Sequence, residues 1–230
     1  MRVLIFTIWS LFQLSAYSQE SLRTINFRTV GLETGKIPLL LAGDAQASKL
    51  IDCKIHRKKI SDPVQISVPN GEIIFFLKEP EEGVPPQIAA RCVVPKTITQ
   101  PLLLFLPKSG AKKGDPPMSI KVLDGSEKSF PRGGALVVNL YSDEVRFFVG
   151  EHLTRQLAAG KSVSLPMPEK RDAHNMTQIK FQFKGSAGWR TARESRLRFT
   201  EAARRLLITY IDPKSKEPSL QMYRDITKQY

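Results

Sequence analysis

Gly133 and Gly134, inside the run FPRGGALVVNLYSDEVRFFVGE, are the first residues that could do chemistry. Paired glycines cradle phosphate when they sit between a strand and a helix N-terminus, where free N–H groups and the helix dipole meet the anion. Here an alternating apolar run follows instead: Ala135, Val137, Asn139 and Tyr141 share one parity, and Leu136, Val138 and Leu140 the other. Val145, Phe147 and Val149 then resume the alternation, so the stretch reads as a β-hairpin turning at Ser142 and Asp143. Gly160, Lys161 and Ser162 imitate the end of a nucleotide-binding loop. That motif needs a glycine at the place held by Arg155, and VSLP continues as strand.

Other catalytic patterns are equally thin. His56, His152 and His174 stand at no metal-ligand spacing. No Gly-x-Ser-x-Gly elbow offers a serine nucleophile. Asp143 and Glu144 are neighbours, and neighbours on a strand point apart. The sequence therefore assigns no catalytic residue, metal ligand or cofactor.

Two cysteines, Cys53 and Cys92, are expected to form a disulfide if the chain is exported to an oxidising compartment. The closed loop of about 40 residues would contribute about 4 kcal/mol on the chain-entropy model. Export is read from the N-terminus. Arg2 precedes the uncharged apolar run VLIFTIWSLFQL, and Ala16 and Ser18 place small residues before a cut ahead of Gln19. That order is a secretory signal peptide, and the apolar run is short for a membrane span, which takes about 20 residues. The expected location is periplasmic or secreted, with no transmembrane segment in the mature chain.

Charge gives the sign of the partners. The chain carries +13, and losing Arg2 with the leader lowers this to +12. Such a balance favours anionic partners. In IKFQFKG, Ile179, Phe181 and Phe183 form an apolar face and leave Lys180 and Lys184 outward. In SRLRF, Leu197 and Phe199 turn inward and leave Arg196 and Arg198 outward. Pairing of the two runs across GSAGW would merge these four cations into a strip beside Trp189. Like charges on one sheet face repel, which a bound polyanion or the interspersed Glu194 would relieve. Lys54 to Lys59, KIHRKK, is a second basic cluster. Its aromatics are too sparse to specify nucleic acid, leaving anionic polysaccharide or lipid headgroups as the expected partners.

The elements that must position these residues are strands. Fifteen short alternating or apolar runs succeed one another between prolines and glycines, the rhythm of sandwiches and barrels. LLLFL and IIFF are apolar at both parities, as in strands covered on both faces. EHLTRQLAA and FTEAARRLL could each form two helical turns. No fixed-period repeat is legible. The expected architecture is all-β, one or two antiparallel Greek-key sandwiches. Its parts are a leader at 1–18, an N-terminal β region at 19–107, a linker or long loop at 108–117, and a C-terminal sandwich region at 118–230.

FPRGGALVVNLYSDEVRFFVGE, with LLLFLP upstream and AAGKS downstream, resembles a group of exported, uncharacterised bacterial β-sandwich proteins of the planctomycete and verrucomicrobial type. The shared pattern is a Phe-Pro-x-Gly turn, an apolar strand ending near Asn, and a strand ending in Gly. It covers about a third of the chain and brings no activity with it. The function expected is thus non-catalytic: binding or scaffolding an anionic envelope component. The alternative is an enzyme or enzyme accessory acting on envelope polysaccharide, with two close carboxylates assembled by the fold.

Overall fold

The computed structural model describes residues 22–32, 39–77, 87–108, 110–112, 114–150 and 153–226, and every regular element among them is a strand. The expected leader at 1–18 and its expected cleavage point lie outside the described residues. The first eight strands are β1 (Leu22–Gly31), β2 (Leu40–Gly43), β3 (Ile51–Cys53), β4 (Val64–Pro69), β5 (Glu72–Phe76), β6 (Ile88–Val93), β7 (Pro101–Pro107) and β8 (Met118–Asp124). The next eight are β9 (Ala135–Asn139), β10 (Val145–Val149), β11 (Leu153–Leu157), β12 (Ser162–Leu165), β13 (Met176–Gly185), β14 (Gly188–Arg198), β15 (Ala203–Ile211) and β16 (Pro218–Ile226).

They form four sheets of four strands. The orders β4-β1-β7-β8 and β3-β2-β5-β6 make one sandwich, and β12-β9-β15-β16 and β11-β10-β13-β14 make the next. Adding eight to each strand number turns the first topology into the second. The chain is thus a structural repeat that its sequence conceals. The expected all-β sandwich fold is present, with one departure from a purely antiparallel pattern: β1 runs parallel to β7, and β9 parallel to β15.

Three hydrophobic layers hold the four sheets. Phe27, Phe75 and Phe105 centre the first sandwich, and Phe147, Phe181 and Phe199 the second. Between them Val30, Leu102 and Leu104 of the first meet Leu136, Val138, Leu206 and Ile208 of the second. Side chains alternate along a strand, so Leu103 and Phe105 enter one core while Leu102 and Leu104 enter the middle one. This explains why LLLFL lacks alternation: its sheet is covered on both faces.

Several sequence expectations change here. β9 and β10 are strands but not a hairpin, since β9 pairs with β12 and β15 while β10 pairs with β11 and β13. The link between them crosses the sandwich. Asn139 organises that crossing from a buried position: its Nδ2 donates to the Asp143 carbonyl (2.8 Å) and the Leu157 carbonyl (3.0 Å). Its Oδ1 accepts from the Tyr141 N–H (2.9 Å) and the Thr209 hydroxyl (2.9 Å).

The glycines ahead of β9 serve packing. A Cβ on Gly134 would lie 2.3 Å from the Leu165 carbonyl oxygen, and Gly133 adopts a φ of +66° against Met167. Neither helical run is a helix. EHLTRQLAA carries β11, and FTEAARRLL turns at 201–202 into β15, because each is captured as a strand by a neighbour in its sheet.

The expected boundary also moves. Segment 108–117 is the loop of the β7–β8 hairpin, closed by Lys108 N–H donating to the Pro117 carbonyl at 2.9 Å. β8 therefore belongs to the first sandwich, and the crossing between sandwiches comes at 125–134. That crossing is pinned: Phe130 is buried in the middle layer, and Arg204 donates to the carbonyls of Gly125 (3.0 Å) and Phe130 (3.2 Å).

The expected disulfide is absent. Cys53 on β3 and Cys92 on β6 lie on opposite edge strands of one sheet, three strand spacings apart. That is about 14 Å, twice the reach of about 7 Å between Cα atoms that a disulfide allows. Both thiols are buried, and burial pushes each up to about 12. A thiolate is the reactive form, so native protein should leave a disulfide-exchange reagent unreacted at pH 8. Denatured protein should titrate two thiols; none would restore the bridge.

Candidate functional site

The β13–β14 hairpin, expected from alternation, is present and builds the outer face of the last sheet. Its register sets Met176 opposite Arg198, Gln178 opposite Arg196, Lys180 opposite Glu194 and Lys184 opposite Trp189, with a bulge between Phe181 and Gln182. Ile179, Phe181 and Phe183 face the core, so Lys180 and Lys184 face solvent with their cross-strand partners. All five residues singled out from sequence therefore share one surface. β10 extends it, because Arg146 pairs with Gln182 and Phe148 with Lys180.

The face is mixed in charge rather than uniformly basic. Lys184 Nζ meets Glu144 at 3.2 Å, and Arg196 pairs with Asp172. The Gln156 amide first, then Lys184, hold the Glu144 carboxyl below its ordinary value. Asp172 is lowered chiefly by the Met176 N–H, then by the His174 N–H and Arg196, after a smaller opposing effect of burial. Lys180 lies 5.4 Å from the Phe148 ring centroid and opposite Glu194, which also accepts from Gln178. Charge repulsion at Lys180, Lys184 and Arg196 is thus relieved within the protein.

What the sequence did not reveal is Arg146. Its guanidinium carbon stands 3.9 Å from the Trp189 ring centroid, a cation–π stack at the centre of the face. Gln156 Oε1 accepts from Arg146 Nε at 3.3 Å and fixes its plane. Arg146 sits one sheet position from Gln182, on a strand distant in sequence from the hairpin. Only pairing of β10 with β13 exposes the relation. The result is a patch of stacked aromatic, amides and cations.

A second feature lies where the sandwiches meet. Asp225 on β16 is buried and receives two guanidiniums: Arg28 at 2.6 and 2.8 Å, and Arg204 at 2.5 and 3.0 Å. Arg28 also donates to the Ser61 carbonyl (2.9 Å), and Tyr223 donates to the Gly31 carbonyl (2.7 Å). A cavity of about 370 Å³ opens beside this pair, lined by Asn26, Asp62, Thr99, Gln100 and both arginines. Burial acts to raise the Asp225 pKa, but Arg28 and Arg204 outweigh it and keep the carboxyl ionised. A carboxylate so held does not shuttle protons near neutral pH; its work is to join β1 to β15 and β16.

KIHRKK is part of the same junction. Gly31 N–H donates to the His56 carbonyl at 2.9 Å, Lys59 bridges to Arg224, and Ile60 enters the middle core. This cluster straps one sandwich to the other. Among the described residues, no three His, Cys, Asp or Glu side chains gather as a metal site, and no helix is long and apolar enough to cross a membrane. No protein-family model matches the chain, and no curated protein matches it.

Proposed function

We propose that this chain is an exported, non-catalytic scaffold that binds an acidic polysaccharide across the outer face of the β11-β10-β13-β14 sheet. The observation that carries the reading is the Arg146–Trp189 stack at 3.9 Å between Lys180 and Lys184. The stack offers the apolar face of a sugar ring an indole, and its acidic substituents an adjacent cation. Gln156 and Gln182 supply amides for hydroxyl groups. A lipid surface would favour inserted apolar side chains, whereas this face presents polar heads, so the polysaccharide is preferred over headgroups. The net charge, +12 once Arg2 is lost with the leader, adds long-range attraction for a polyanion.

The test is retention on immobilised dextran sulfate at low and high salt. The parent should bind at 50 mM salt and release well below 1 M, because exposed charges are screened over about 10 Å at 0.1 M and about 3 Å at 1 M. Arg146→Ala with Lys180→Glu should weaken low-salt binding at least tenfold while leaving the melting temperature within a few degrees, since both are surface changes. Unchanged binding by this variant would reduce the face to a solvated surface.

A further inference from the structure

Across the sheet β12-β9-β15-β16, one row of paired residues reads Leu165, Ala135, Arg205 and Arg224. Leu165 and Ala135 belong to the second core, so the row lies on the inner face at the end of the sandwich, where the apolar layer gives way to half-buried Arg205 and, on the edge strand beside Lys59, exposed Arg224. Like charges directly opposite on a sheet destabilise it. Among the described residues neither guanidinium meets a carboxylate. The neighbouring carboxylate, Asp225, projects to the other face and is shared by Arg28 and Arg204.

Arg205 is nevertheless fixed. Its Nε and Nη2 donate to the Arg198 carbonyl at 2.9 and 2.6 Å, which leaves the Nη1 edge for another acceptor. Residues 166–175 close the same end, running from β12 to Met176, the partner of Arg198. Arg205 and Arg224 are direct cross-strand partners with backbones about 5 Å apart, close enough for their two forks to hold a tetrahedral oxyanion between them.

We propose that Arg205 and Arg224 form a seat for a phosphate or sulfate group at the end of the second sandwich. The seat is separate from the Arg146–Trp189 face and relies on the function proposed above only for the source of the group. Burial first, and Arg224 second, lower the Arg205 pKa, as expected of a half-buried cation crowded by another. A bound oxyanion would relieve the repulsion between the two paired guanidiniums.

The experiment follows the Arg205 and Arg224 Nε–Hε resonances of the full chain during titration with inorganic phosphate, against chloride at equal ionic strength. Saturable shifts with phosphate alone are expected, and Arg224→Ala should weaken the binding at least tenfold. In chloride that variant should be no less stable than the parent, because it removes a repulsion. Equal shifts with chloride, or undiminished phosphate binding by Arg224→Ala, would overturn the seat. So would loss of phosphate binding in Lys180→Glu, which alters only the other face. Dextran sulfate separates the sources: weaker polymer binding by Arg224→Ala supports a substituent on the polymer, and unchanged polymer binding together with lost phosphate binding supports the free ion.

Discussion

Phe75→Ala should lower the unfolding free energy by about 3–5 kcal/mol, the largest single-residue loss in the first sandwich. Phe75 is fully buried and meets two rings edge-on, Phe105 at 4.9 Å and Phe27 at 6.1 Å between centroids. Its truncation removes the link between β5 and the paired strands β1 and β7. The surrounding sheets are fixed by hydrogen bonds on both sides, so they cannot collapse into the space. Chemical denaturation measures the effect as a fall in midpoint at constant slope. A loss below about 1 kcal/mol would mean that the three rings do not share one core.

Asp225→Asn should cost about 3 kcal/mol, at the low end for breaking a buried ion pair, because Arg28 keeps 28% of its side chain exposed. The variant leaves two guanidiniums facing a neutral amide at the seam between sandwiches. The pH dependence carries a sign. Burial would raise the Asp225 pKa, yet the two arginines bring it below its ordinary value. A depressed folded pKa contributes stability above the unfolded value, near 4, and that contribution is lost as pH falls through the folded pKa. The gap between parent and variant should therefore be full at pH 6 and narrow below about pH 4. A gap that does not change with pH would remove the charge pair as its cause.

The strands were legible because alternation is a local property. Ile179, Phe181 and Phe183 declare their face without knowledge of any partner, and the β13–β14 pairing follows from a short turn. Partnership between distant strands was not legible. β9 and β10 look like a hairpin because nothing local distinguishes a turn within a sheet from a crossing between sheets; the four hydrogen bonds of Asn139 make that choice. The repeat was hidden for the same reason. β7 and β15 hold equivalent places, yet PLLLFLP and ARRLLITYI share a burial pattern rather than residues. Cys53 and Cys92 misled because an even count says nothing about which edge of a sheet each occupies. Arg146 and the Arg205–Arg224 pair depend on cross-strand register, so the sequence offered no signal for either.

Trp189 allows the polysaccharide face to be tested from within. The chain holds two tryptophans, Trp9 and Trp189, and Trp9 falls within the expected leader, so protein prepared without residues 1–18 carries Trp189 as its only indole. Its fluorescence should change saturably as dextran sulfate is added at low salt, and the change should disappear at 1 M salt, where charges are screened within about 3 Å. Uncharged dextran at the same concentration should leave it unchanged. Polymer that binds the protein while the Trp189 emission stays constant would contradict the account, because the ligand would then be held away from the Arg146–Trp189 stack.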